Sequence, residues 1–444
     1  MSSDNTDEPN DEATHGRSPA DNNAEQKQRR RKILGAGLRS LGRGAMRSMP
    51  GYDRAKSWQK TGEDWYETLG GLKGAAMKLG QITSQYQDVL PPQITEQLAR
   101  LQRDAKAWDF ADLQPVLDQY WTDEQREDVV YIDEQALAAA SIGQVHAARL
   151  ADGREVVVKI RYPGVADSID ADIANLGRLL KLSRFLPIRG KDLDGVLGEL
   201  RDRFVEETDY RRELKNLQTL RDMELVDFTL PVAVPHLCCE AILVTTRLDS
   251  ISIDEAAPAL GHSMIEAINR QILTFGALHA DPHPGNFGAT TDGRIALYDF
   301  GCVKYLDVPT RQALCDIISA AMSRDWHGVH HGMEQLGAVD AGSWEKHGDI
   351  YAEIYERHAR SAIDPLREQR PYVFTEDALI DGIRHEVGKS LKYWKYFNAV
   401  PEMVFVMRTL SGLYWILRRM SAEADLYDGL ERIAAGEYGP HEPA

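Results

Sequence analysis

The segment His279-Ala280-Asp281-Pro282-His283-Pro284-Gly285-Asn286, followed thirteen residues later by Asp299-Phe300-Gly301, constrains this chain more than any other feature. Between the two motifs, Phe287 to Thr290 and Ile295 to Tyr298 are short β-prone runs flanking Thr291-Asp292-Gly293-Arg294. An Asp-Gly pair between such runs predicts a tight antiparallel hairpin, which brings Asn286 and Asp299 together. Asp281 can accept a proton, and Asn286 and Asp299 are hard oxygen ligands. Phosphoryl transfer from a magnesium-bound nucleotide needs these groups. A rival reading takes His279, Asp281 and His283 as an H-x-D-x-H metal cluster for hydrolysis, and it leaves Asp299-Phe300-Gly301 without a purpose. The bland reading is a turn-capping Asp and a loop Asn.

Upstream, Val156-Val157-Val158-Lys159-Ile160 is a β-branched strand with one lysine inside it. An ammonium buried there is costly unless an anion meets it. A nucleotide phosphate plus a helix glutamate would serve, and Glu213, in a predicted helical stretch from Asp192 to Leu225, is the expected partner. At ~4 Å and an effective dielectric near 20 such a pair attracts by about 4 kcal/mol before desolvation. Just before the lysine strand stands Ala138-Ala139-Ala140-Ser141-Ile142-Gly143-Gln144, whose small side chains let backbone N–H groups approach phosphates. The order D-x-x-x-x-N, hairpin, D-F-G resembles the catalytic and metal-binding loops of protein kinases.

Composition bounds the rest. The 444 residues suffice for a two-lobed domain with extensions. With 69 Asp and Glu against 52 Lys and Arg, the net charge of -17 argues against nucleic acid as a partner. Cys238, Cys239, Cys302 and Cys315 form no zinc quartet and read as reduced thiols of a cytoplasmic protein. No apolar leader is present in residues 1 to 32, and Met403 to Leu417, interrupted by Arg408, is too short to span a bilayer and reads as core. From Lys27 to Arg54 nine basic residues face one acid in an amphipathic pattern, read either as a peripheral membrane-surface helix or as a helix docked on its own domain. His327, His330 and His331 read as surface histidines.

The expected organisation is a disordered tail over 1–32, a helical extension over 33–125 broken at Pro91-Pro92, a small antiparallel-sheet lobe over 126–250, a helical lobe over 251–430 and a tail over 431–444. The fold class is α+β.

Taken together, Lys78-x-Gly80-Gln81, the alanine-rich segment, Glu207-x-Asp209 and His279-x-Asp281-Pro-His-Pro-Gly-Asn286 resemble the UbiB (AarF) atypical-kinase family, from about residue 65 to 310 and more weakly to about 420. The resemblance implies a protein-kinase-like two-lobed fold with extra N-terminal helices over the cleft. Lys78 and Gln81 would point into the site, with Lys78 pairing with Glu207 or Asp209. Lys159 would hold the phosphates of ATP or ADP, with Glu213 holding Lys159. Ala138, Ala139, Ala140, Ser141, Gly143 and Gln144 would lie on the nucleotide side. Asp281 would be the catalytic acid, with Asn286 and Asp299 on Mg2+. The family is associated with ATPase or unorthodox kinase activity in isoprenoid quinone and lipid homeostasis, so the acceptor would be a small molecule or a lipid. A catalytically weak nucleotide-binding scaffold is the alternative. A protein Ser/Thr kinase is a third, against which no A-P-E follows Gly301. Leu243 to Arg247 departs from the expected adenine hinge by placing Thr246 near the usual acid.

Overall fold

The computed structural model describes residues 53–69, 108–140, 142–183, 197–198, 201–202, 204–375 and 378–440, together with Gly35. Lys78, Gln81, Ser141, the Pro91-Pro92 break, the N-terminal tail and nearly all of the basic stretch lie outside them. The chain divides into two compact units, one of residues 1–119, 134–146 and 160–208, the other of 120–133, 147–159 and 209–444.

Three strands, β1 (Val129–Ala139), β2 (Gly143–Leu150) and β3 (Glu155–Arg161), join β5 (Ile242–Thr246) in a sheet of order β1-β2-β3-β5. Strand β1 runs into the alanine-rich segment. Ala138 and Ala139 belong to it, and the reversal falls on Ala140, whose N–H donates to Gly143 O at 2.8 Å. Period two is clean in β3: Val156, Val158 and Ile160 are fully buried, leaving Val157 and Lys159 on the other face.

In the first unit Gln144 is fully buried and acts as a clamp. Its Oε1 accepts from Trp108 N at 2.9 Å and its Nε2 donates to Trp108 O at 3.1 Å, while the Trp108 ring stacks on Tyr162 at 4.9 Å.

The second unit is mostly helical. Helix α1 (Tyr210–Asp222) is N-capped by Asp209, whose carboxylate accepts from Arg211 N at 3.1 Å. The expected helical stretch therefore breaks at Thr208 and Asp209. Helix α2 (Leu260–Asn269) passes into a π-helical segment, Arg270–Phe275, ended by Gly276 at φ 71°. A Cβ at Gly276 would stand 2.5 Å from Leu306 O, so glycine is required there on both counts. The chain then enters β7 (Ala277–His279), which pairs antiparallel with β10 (Val303–Tyr305). The predicted hairpin is present: β8 (Phe287–Thr290) pairs with β9 (Ile295–Leu297) around Gly293, which has φ 79°. It sits in a sheet of order β4-β9-β8-β6, with β4 at Phe228–Thr229 and β6 at Ser250–Ser252. Met264, Leu278, Ile295, Leu297, Phe300 and Ile416 share one core, each such burial contributing ~1.5–3 kcal/mol.

Three expectations change. His330 is buried: its Nδ1 meets Tyr355 OH at 3.1 Å and its Nε2 meets Ser343 Oγ at 3.2 Å, within an aromatic cluster of Tyr351, Tyr355 and Trp344. Neutral imidazole fits such a site because it can donate and accept. Helix α3 (Pro401–Arg419) is core on one side only. Val406, Leu413, Ile416 and Leu417 are buried while Val404, Met407 and Trp415 are exposed, as is Trp394 before it. The C-terminal boundary at 430 falls inside helix α4 (Leu426–Ala434), and Tyr438 beyond it is buried, its OH donating to Glu266. No helix among the described residues is long and apolar enough to cross a membrane.

Candidate active site

Backbone pairing sets the geometry. Ala280 N donates to Cys302 O at 2.8 Å and Tyr298 N donates to Asn286 O at 3.0 Å, so the two ladders hold the segments bearing Asp281, Asn286 and Asp299 in fixed register. Asp281 stands two residues past β7, Asn286 just before β8, and Asp299 two residues past β9.

Lys159 Nζ meets Glu213 Oε1 at 2.7 Å, Glu213 Oε2 at 2.8 Å and Asp299 Oδ2 at 3.1 Å. The Tyr210 ring lies 5.2 Å from the ammonium. Burial would push the ammonium's pKa down, but Asp299 and Glu213 outweigh it and hold it well above the ordinary lysine range. Burial also opposes ionisation of Asp299, yet Lys159 and the Gly301 N–H, 2.8 Å from Oδ1, pull its carboxyl down to about 2. For Glu213, burial pushes upward against the pull of Lys159. Helix α1 also clamps the Asp299-Phe300-Gly301 turn, with Phe300 N donating to Glu213 Oε1 at 3.4 Å and Asn216 Nδ2 to Phe300 O at 2.8 Å. Glu213 and Asn216, three apart on one face, grip both backbone groups of one residue.

Asp281 has both carboxylate oxygens engaged. Arg408 Nη2 reaches Oδ1 at 2.5 Å, and Asn286 Nδ2 reaches Oδ2 at 3.1 Å and the Asp281 carbonyl at 3.0 Å. The amide nitrogen of Asn286 is thus committed, and its Oδ1 has no partner among the described residues. In the sequence Arg408 stands only as an interruption of an apolar run. That lone charge was the available signal. Asn216 gave none.

His279 is 1% exposed, with ring Nε2 3.0 Å from Asp299 O and its backbone N–H donating to Gln271 Oε1 at 2.9 Å. His283 Nδ1 accepts from Gly285 N at 3.1 Å. The two histidines therefore serve the loop itself, and no three His, Cys, Asp or Glu converge on a metal-sized gap among the described residues. Asp209 is occupied by Arg211, at 2.9 Å, and its carboxyl lies below the usual range, chiefly through that bond. Glu207 is half-buried at the end of the helical turn before it. At the expected hinge, Thr246 N donates to Val232 O at 2.8 Å and Thr246 Oγ1 accepts from Val232 N at 2.9 Å, so the backbone N–H is committed while the hydroxyl keeps its own proton to donate. Beside the loop, a cavity of about 420 Å3 is lined by Ser250, Ser252, Asp254, His283, Tyr298 and Arg419.

Burial depresses the pKa of His279, His330 and His358. The unfolded chain, with histidines near 6.5, takes up protons that the folded chain refuses, so stability rises with pH through that value and falls below it. Asp299, at about 2, adds a second loss, with stability present above the ordinary aspartate range and lost as pH falls toward 2. Melting temperature measured from pH 8 to pH 5 is therefore expected to start falling near ~6.5, and His330→Gln to shallow that slope. A flat profile would contradict neutral burial of these histidines.

Residues 100–333, more than half of the chain, match the model of the ABC1 atypical kinase-like domain. Atypical kinase COQ8, mitochondrial, of Saccharomyces cerevisiae is 30% identical over 370 residues, covering 79% of this chain and 72% of that protein. Atypical kinase coq-8, mitochondrial, of Caenorhabditis elegans is 27% identical over 374 residues, covering 80% of this chain and 48% of that protein, so this chain spans about half the nematode protein's length. A solved complex of a Mycobacterium tuberculosis protein with erythromycin matches at a TM-score of 0.55 and 25% identity, covering 88% of this chain and 98% of that one. The fold is kinase-like, mixing helices with small, mainly antiparallel sheets. With the Lys159, Glu213 and Asp299 cluster and the Asp281 loop in place, the chain belongs to the ABC1 atypical kinase-like family, the UbiB group that its motifs resemble.

Proposed function

We propose that the protein is a magnesium-dependent, ATP-binding kinase or ATPase acting in isoprenoid quinone or lipid homeostasis, in the cytoplasm and in peripheral contact with a membrane. One observation carries this reading: Lys159 is bonded to both Glu213 and Asp299, and Asp299 is tied through one hairpin to Asn286 and Asp281. Such a cluster holds a lysine charged and aimed without needing a ligand to fold.

The donor set suits magnesium. Mg2+ takes one or two protein oxygens and completes its shell with phosphates and water. Asn286 offers Oδ1, its nitrogen being committed, and Asp299 offers the second lone pairs of its carboxylate. When bound, the ion neutralises phosphate charge. Lys159 holds the phosphates, and Asp281 orients the acceptor hydroxyl and takes its proton. Glu213 fixes Lys159. On the family resemblance, nucleotide-binding roles fall to Ala138, Ala139, Ala140, Ser141, Gly143 and Gln144, with Lys78, Gln81, Glu207 and Asp209 as the family's own addition.

The reading is tested in a strain lacking the gene. Wild-type protein is expected to restore the isoprenoid quinone content and Asp281→Asn is not. Full restoration by Asp281→Asn would favour the scaffold alternative, and failure of the wild type would remove quinone from the reading.

A further inference from the structure

Helix α3 addresses the catalytic loop with three residues on adjoining turns. Arg408 bonds the Asp281 carboxylate, Thr409 Oγ1 donates to His279 O at 3.4 Å, and Gly412 lies so close to Pro282 that an added Cβ would stand 2.2 Å from its Cγ. The helix is a rigid backing for residues 279 to 282, and Arg408 is its only charge between Met403 and Leu417.

The arrangement is paradoxical for a proton acceptor. A guanidinium keeps its protons at any working pH, and here it occupies the oxygen that an incoming hydroxyl would use. The pair is also exchangeable, since the side chains are 26% and 35% exposed. Fully exposed ion pairs are held by about 1 kcal/mol, and this half-buried one by somewhat more. Arg408 has no other acceptor among the described residues, so most of its five donors remain available. Charge balance points the same way. Lys159 is already matched by two carboxylates, and Arg408 is the one further cation bonded to these residues among those described. A triphosphate adds negative charge to a set that already holds three carboxylates against two cations.

We propose that Arg408 exchanges Asp281 for the transferring phosphoryl group of bound ATP, which frees Asp281 Oδ1 to accept the proton and delivers a cation where charge moves. The inference rests on the phosphoryl-transfer reading above. A hydroxyl bonded to Asp281 as nucleophile is held about 3–3.5 Å from phosphorus. A guanidinium bonded to that same carboxylate therefore stands near the place the phosphoryl group would take. In the step, the acceptor oxygen, of water or an alcohol, forms the new bond to the γ-phosphorus. The bond from that phosphorus to the bridging oxygen breaks, its electron pair leaves on ADP, and the hydroxyl proton passes to Asp281. Arg408 gains and loses no proton.

The test compares wild type, Arg408→Lys and Arg408→Gln in two binding measurements, Mg-ADP alone and Mg-ADP with aluminium fluoride, a mimic of the transferring phosphoryl. Wild type is expected to bind the fluoride complex at least about a hundredfold more tightly than ADP. Both variants should lose most of that gap while holding ADP within about threefold, and turnover should fall by about 10^3 or more with little change in KM. Guanidine at tens of millimolar should partly restore turnover to Arg408→Ala. A gap kept intact, or ADP affinity falling in step with it, would overturn the exchange and leave Arg408 a structural tie. If Arg408→Gln does not fold, Arg408→Lys still decides, because it keeps the charge and loses the planar fork. Failure of the wild type itself to bind Mg-ADP would overturn the phosphoryl-transfer reading, and with it this one, and is told apart by that first titration.

Discussion

Lys159→Met is expected to destabilise the protein by about 3–5 kcal/mol, the cost of breaking a buried ion pair from one side. Glu213 is only 6% exposed at its side chain and shares the ammonium with Asp299, so removal of the cation leaves two carboxylates facing each other with nothing between them. Burial already pushes the Glu213 carboxyl up with the lysine present. Without it, Glu213 must take up a proton or the α1 contact must loosen. The clamp on Phe300 passes through the same carboxylate, so the Asp299 turn should loosen as well. Denaturation midpoints should show Lys159→Met well below wild type, and Lys159→Met with Glu213→Gln recovering part of the loss, because a neutral amide needs no cation. Additive losses in the double variant would mean that the two side chains do not act as a unit.

Asp281→Asn is expected to lower turnover by about 10^2–10^4, the usual worth of a positioned general base, while nucleotide affinity stays near wild type. The amide can still accept from Arg408 through its oxygen, but its nitrogen then meets the Asn286 amide nitrogen donor to donor, so the melting temperature should fall modestly. What is lost is the ability to take a proton. Steady-state turnover and nucleotide titration on the same sample separate the two effects. A parallel loss of affinity would show that Asp281 holds the loop rather than the proton.

How much of this was legible in the sequence depends on how local each signal was. The β8–β9 hairpin followed from an Asp-Gly turn between two β-prone runs, and Gly293 adopts the positive φ such a turn demands. Lys159 was conspicuous as a charge within a β-branched strand, and Glu213 lies 2.7 Å from it. Arg408 lies 127 residues from the aspartate it holds and sits in a helix whose pattern suggested burial. The apolar positions of α3 looked uniformly like core because a 19-residue helix with buried Leu413, Ile416 and Leu417 has the same composition as one buried all round. His330 was misplaced for a related reason. Three histidines near one another look polar, and only the surrounding Tyr351, Tyr355 and Trp344 turn one of them inward. The extent of β1 was hidden by alanine, which prefers helix in isolation and here extends a strand because β2 offers it a ladder.

The central claim is that the cluster of Lys159, Glu213 and Asp299 is a magnesium-nucleotide site, and thermal shift with Mg-ATP and Mg-ADP tests it most directly. A ligand present at 100 times its dissociation constant stabilises the folded state by about 2.7 kcal/mol. Wild type should therefore show a clear rise in melting temperature that needs magnesium and that vanishes in both Lys159→Ala and Asp299→Ala. No shift with either nucleotide, or one that survives both substitutions, would contradict the account.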